Sequence, residues 1–187
     1  MSVVPATVRA TLDNLYRVEG KAELINGRIV RHMASGDRPS EVALEIAVSL
    51  RNYARKRRRG KAYADGIGYA IPELPSGRES FQPDASYYAG PLPANRMRFI
   101  EGTPTFAVEV RSENDYGPAA EEELADMRAD YFAAGTLVVW DLDPVAELVH
   151  VYRASSPLTP VTFRRGQTAD AEPAVPGWRM PVDEVFA

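Results

Sequence analysis

The sequence predicts a mixed α/β domain, a central sheet flanked by helices, and three stretches carry that reading. TFAVEVRS, residues 105–112, alternates Phe106, Val108 and Val110 with Ala107, Glu109 and Arg111, the two-residue period of a strand. NDYGPAAEEELADMRADYFAAG, residues 114–135, is the clearest helix. Pro118 suits the first turn, Glu121, Glu122 and Glu123 sit where the helix dipole favours negative charge, and Gly135 stops it. TLVVWDLD then reads as a buried strand.

The remaining elements follow in chain order. Residues 7–18 place Val8, Leu12, Leu15 and Tyr16 at helical spacing. KAELINGRIVRHM reads as a hairpin, because Asn26-Gly27 supplies the two left-handed positions of a tight turn. A helix is expected from about Pro39 to Arg58, capped by Ser40 or Asp37 and ended by Gly60, with Val42, Ile46, Leu50 and Tyr53 as its apolar stripe. KAYADGIGYAI reads as a strand pair or bent strand, and QPDASYYA as the next strand. GPLPANRMRFIEGTP is a long connection. After TLVVWDLD, ELVHVYRA pairs through the Asp143-Pro144 turn, VTFRRG is an edge strand, and WRMPVDEVF closes the chain with a short helix.

With 187 residues, 45% of them hydrophobic, the chain suits one domain, residues 1–187, with a real core. It has no cysteine, which excludes a disulfide framework and a thiolate zinc site. No secretory signal and no apolar run of bilayer length is visible, so a soluble, cytoplasmic protein is expected. Net charge is −4, against nucleic-acid binding by the whole surface. The charge is uneven, however. Residues 51–61 hold seven cations in eleven positions: Arg51, Arg55, Lys56, Arg57, Arg58, Arg59 and Lys61. That exceeds what dipole compensation requires and favours contact with a phosphate backbone, with Tyr53 and Tyr63 as stacking candidates.

Three acids sit within strands rather than on helix surfaces: Glu23, Asp84 and Glu109. Burying such charge is costly unless something compensates it. A divalent cation does so while leaving room for a phosphate, and it can activate the attacking water. A strand carboxylate can equally pair with arginine, and Arg111, Arg28 and Arg98 are available. His32 and His150 lack metal-ligand spacing, Ser86 and Ser112 lack the glycine setting of a nucleophile elbow, and there is no phosphate-binding or dinucleotide fingerprint. Trp140 and Trp178 read as core residues.

QPD at 82–84 and VEV at 108–110 resemble the PD-(D/E)XK nuclease superfamily. AELINGRIV, PDASYYAG, FAVEVRSENDYG, RADYFAAGTLVVWDLDP and VHVYR, in that order, resemble its Uma-two family of restriction-endonuclease-like proteins over most of the chain. The resemblance implies a restriction-endonuclease-like αβββαβ core. It implies a magnesium or manganese site made by Asp84, Glu109 and the carbonyl of Val110, with Glu23 as an accessory acid. It implies metal-dependent cleavage of DNA, and it suggests a homodimer. One position departs from the pattern. Four residues before Tyr131, where a lysine is expected, stands Met127. Methionine carries no charge and orients no water; it reads as core filler. Arg111, two residues after Glu109, and Arg128 are the substitutes the sequence offers, able to stabilise a phosphoryl transition state by charge. An impaired nuclease that only binds DNA through residues 51–61 is the alternative, and an assembly protein touching neither metal nor DNA a third reading.

Overall fold

The structure is a computed structural model and describes residues 9–187. Helix α1 (Leu12–Leu15) is shorter than the periodicity predicts; Thr11 and Asn14 close a capping box at its start. The first two residues of that expected helix, 7 and 8, lie outside the described residues. The hairpin is as expected: β1 (Ala22–Ile25) pairs with β2 (Arg28–Arg31), and Asn26 and Gly27 hold φ 51° and 64° at the turn.

Helix α2 (Asp37–Arg57) buries Val42, Ala43, Ile46, Ala47, Leu50 and Ala54. Its cap differs from expectation. Gly36 is the N-cap, Asp37 lies in the first turn, and the Ser40 hydroxyl turns back to donate to the Gly36 carbonyl. Arg58, at φ 52°, ends the helix before Gly60 is reached. Gly60 has another reason to be glycine: a Cβ there would lie 2.2 Å from the ring of Tyr87.

Next come β3 (Lys61–Ala64), β4 (Tyr69–Ala70), β5 (Ser80–Phe81), β6 (Ala85–Tyr88), β7 (Ile100–Glu101) and β8 (Phe106–Val110). Helix α3 (Pro118–Ala133) follows, then β9 (Val138–Asp143), β10 (Leu148–Arg153), β11 (Ser156–Arg164), β12 (Thr168–Asp170), β13 (Arg179–Pro181) and α4 (Val182–Val185). KAYADGIGYAI does not fold on itself: β3 joins the main sheet and β4 a small one of order β5-β4-β7. The expected long connection contains β7.

The main sheet has six strands in the order β11-β10-β9-β8-β6-β3. Only β8 and β9 run parallel, because α3 carries the chain back between them. The succession α2, β3, β6, β8, α3, β9 reproduces the expected αβββαβ core, with β4, β5 and β7 as insertions.

Strand alternation sorts the side chains onto two faces. One face packs Phe106, Val108, Trp140, Leu142 and Val151 against α2, α4 and Trp178. The other packs Ala107, Val139 and Tyr152 against Tyr131 of α3 and Tyr69 and Phe81 of the small sheet. Both tryptophans are core residues, as expected. Among the described residues no helix is long and apolar enough to cross a membrane.

Candidate active site

Alternation sends Glu109 to the α3 face, the one residue of β8 that is not fully buried. Asp84 immediately precedes β6, the antiparallel neighbour of β8, and its N–H donates to the Val108 carbonyl at 3.0 Å. Its Oδ2 accepts the Val110 N–H at 2.9 Å. Asp84 therefore reaches the backbone beside Glu109. The two acids the sequence singles out meet at one end of adjacent strands.

A strand residue's N–H and C=O leave toward the same neighbour. Since the Val110 N–H points to the β6 side, where Asp84 accepts it, its carbonyl points to the same side. The ladder between β6 and β8 ends before that carbonyl, because the next donor along β6, the Gln82 N–H, is given to Glu23 Oε1 at 2.8 Å. The carboxylates of Asp84 and Glu109 thus lie close together, with the Val110 carbonyl on the β6 side of β8.

Their electrostatics are those of a crowded acidic site. Burial, and next the charge of Asp84, hold the Glu109 carboxyl well above the ordinary range. Tyr131 donates its hydroxyl to Glu109 Oε1 at 2.5 Å, and the buried phenol is itself raised by burial and by that carboxylate. The ring of Tyr131 stacks on Phe81, 4.1 Å between centroids, which fixes the hydroxyl.

Glu23 lies close enough to raise Glu109 further, but its own oxygens are engaged. Arg78 pairs with Oε2, His32 Nε2 stands 3.5 Å from the same oxygen, and Gln82 holds Oε1. Burial would raise Glu23; the His32 hydrogen bond and Arg78 outweigh it and lower the carboxyl. Arg78 continues to Asp130 of α3 at 2.8 Å, so the chain Glu23–Arg78–Asp130 ties β1 to α3. Among the described residues no three acidic or histidine side chains form a metal cage. Glu23, the expected accessory acid, is turned to Arg78 and away from the expected ligands Asp84 and Glu109. Two carboxylates and a carbonyl remain an all-oxygen donor set that suits a hard ion retaining several waters, as magnesium does.

The arginines are elsewhere. Arg111 places Nε and Nη2 on both oxygens of buried Asp141, at 2.8 and 2.9 Å, and its Nη1 on Glu121. Arg128 donates to Asp141 Oδ2 at 2.8 Å, with its guanidinium 4.4 Å from the centroid of the Tyr152 ring. Both candidate cations are therefore gathered on Asp141, not on Asp84 or Glu109. Met127 packs beside the α3-face core, as a filler would. The cation at the acids is one that sequence reasoning missed. Lys21, just before β1, puts Nζ 2.6 Å from Asp84 Oδ1 and 3.1 Å from Asp65 Oδ1. Burial would lower its pKa; Asp84 and Glu109 outweigh that and raise it.

A family model described as "Putative restriction endonuclease" matches residues 10–183. The chain belongs to the Uma2 family. A crystal structure from Anabaena variabilis, titled a "putative nuclease", matches with a TM-score of 0.74 at 18% identity, covering 94% of this chain and 97% of that one. At that identity the match shows a shared fold, the restriction-endonuclease-like one. No curated protein matches the chain. The description of the family supports a nuclease.

In this Uma2 chain the basic run stands apart from the acids. Arg51, Arg55, Arg58 and Lys61 line a cleft of about 530 Å³ with Tyr88 and Leu92, where α2 meets the edge strand β3. Lys56, Arg57 and Arg59 are exposed but do not line it. Lys61 pairs with Tyr88 and Ala64 with Ala85, so the cleft and Asp84 occupy opposite ends of β6. The expected stacking tyrosines are not free. Tyr53 bonds the Pro176 carbonyl at 2.6 Å and packs edge-on to Tyr87, and Tyr63 packs against the α3-face core. His32 does approach the acids, at Glu23, whereas His150 bonds Thr162 at 2.9 Å. Lys21 had one sequence signal. It lies two residues before Glu23, which alternation would place on the same side of the chain.

Proposed function

We propose that this Uma2 chain is an endonuclease that hydrolyses DNA phosphodiesters with Mg²⁺ or Mn²⁺. The observation that supports the reading is the closeness of Asp84 and Glu109 at the ends of β6 and β8, with Asp84 bonded to the Val110 N–H. These three groups would hold the ion. When bound, it supplies Lewis-acid polarisation of the phosphate and a lower pKa for the attacking water. In the reaction the attacking water releases one proton to solvent as its oxygen bonds to phosphorus, the bond to the leaving sugar oxygen breaks, and that oxygen takes up a proton from solvent.

The remaining residues prepare the site. Tyr131 fixes one oxygen of Glu109, and the other oxygen would be the one available to an ion. Glu23, as the accessory acid, acts through Arg78 and the Gln82 backbone, orienting the turn that delivers Asp84. Arg111 and Arg128 join β8, β9 and α3 through Asp141; in this reading they support the Glu109 strand and do not touch phosphate. The cations of residues 51–61 bind the DNA backbone. Four residues of β6 separate the row of Lys61 from Asp84; at about 3.4 Å per residue that is about 14 Å, or about four nucleotides of one strand of a duplex. Cutting both strands calls for two such sites, which a homodimer supplies; sedimentation with and without DNA tests that part.

Incubation of the protein with supercoiled plasmid and Mg²⁺ or Mn²⁺ tests the reading. Nicked or linear product is expected, absent from Asp84→Ala and Glu109→Ala. Wild-type turnover no greater than that of these variants removes the enzyme claim. One observation favours a second reading, a DNA-binding module without turnover: Met127 packs in the core and brings no charge to the acids. Salt-sensitive DNA binding without any product is its signature.

A further inference from the structure

We propose that Lys21 is the catalytic cation of this chain, the side chain that neutralises the negative charge gathering on the phosphate during cleavage. The assignment rests on the nuclease reading and deepens it. Phosphoryl transfer spreads charge over the phosphate oxygens, and a cation fixed beside the acids stabilises it where it develops.

Of the cationic side chains near the acids, the arginines are all engaged elsewhere. Arg111 lies between Asp141 and Glu121, Arg128 on Asp141, and Arg78 between Glu23 and Asp130. Each is locked by carboxylates that do not hold the ion. Lys21 alone, among the described residues, pairs with Asp84. Its side chain is 19% exposed, so it is not sealed in the core.

The partners of Lys21 also permit it to move. Asp84 and Asp65 each meet Nζ through a single oxygen, without the two-point grip that holds Arg111 on Asp141. An ammonium on a four-carbon stem has three rotatable donors. When Asp84 gives its oxygen to a divalent ion, Nζ can turn from that carboxylate to a phosphate oxygen beside it. Lys21 arrives from the segment just before β1, so the charge enters the site from the hairpin side.

Lys21→Ala and the length-matched Lys21→Gln test this, with three readouts: plasmid cleavage, Mn²⁺ binding by calorimetry without DNA, and thermal melting. Turnover is expected to fall about 10²–10³-fold in kcat, the effect typical of removing one transition-state donor. Mn²⁺ binding should hold or tighten, since Lys21 competes with the ion for Asp84, and melting should stay cooperative. Lys21→Arg should keep part of the rate. Met127→Lys in the Lys21→Ala background should recover turnover by delivering an ammonium one turn before Tyr131. Variants that turn over within about threefold of wild type overturn the assignment. So does a fall in rate that tracks a fall in Mn²⁺ binding in both variants, which makes Lys21 a structural tie. An inactive wild type fails differently: it removes the nuclease reading itself, before Lys21 is in question.

Discussion

Asp141 shows how much a single buried residue can organise. It is almost fully buried, and Arg111 and Arg128 both close on it. Removing one partner of a buried ionic cluster leaves the others uncompensated, at about 3–5 kcal/mol. Asp141→Ala should reduce stability on that order by urea denaturation, whereas Leu137→Ala, at an exposed position, should change it little. Glu23 gives the pH dependence. His32 and Arg78, overcoming burial, depress its folded pKa. A depressed carboxyl stabilises the fold above its unfolded value, about 4.3, and that contribution disappears as pH falls through the folded pKa. Wild type should therefore become steeply less stable below about pH 4.3, and Glu23→Gln should show a flatter acid limb in the same range, measured by melting from about pH 7 down to about pH 3.

At the level of elements, the end of α2 and the start of β3 form one cationic surface. On a surface that tracks a phosphate backbone, removing one phosphate-binding cation lowers the salt dependence of binding by about 0.9 in log K against log salt. Arg51→Ala, Arg55→Ala and Lys61→Ala should each reduce the slope by about that amount in fluorescence titrations, while leaving Mn²⁺ affinity unchanged. The same helix carries stability through its inner face. Ile46→Ala, at a fully buried position, should cost about 2–5 kcal/mol. Weaker DNA binding in the first set at an unchanged melting temperature separates the two faces of α2.

For the whole molecule, an ion held by β6 and β8 would stabilise the folded chain by linkage, by about 2.7 kcal/mol at a hundredfold excess over Kd. For a chain of this length that raises Tm by about 5–10 °C. Mn²⁺ should produce such a shift in wild type and none in Asp84→Ala/Glu109→Ala, in the absence of DNA. This is a measure of the donor set that owes nothing to turnover. The Glu23–Arg78–Asp130 chain and the Arg111–Asp141–Arg128 cluster also predict that β1, β8, β9 and α3 unfold together, seen as one protected unit in hydrogen exchange.

Local pattern was enough for most elements. Alternation in TFAVEVRS, the Asn26-Gly27 turn, and Pro118 and Gly135 around α3 each act within a few residues, so the chain displays them directly. The ordered motifs likewise marked the family to which the chain belongs. Cap positions slipped, since Gly36 and Arg58 are chosen by backbone conformation and not by side-chain type. What tertiary structure alone decided is the pairing of charges. Arg111 lies two residues from Glu109 yet answers Asp141, thirty residues on, while Lys21 answers Asp84 across sixty-three. Ion pairs form wherever packing brings opposite charges together out of water, and sequence separation does not enter that energy; hence local pattern displays the elements but does not say which cation pairs with which acid.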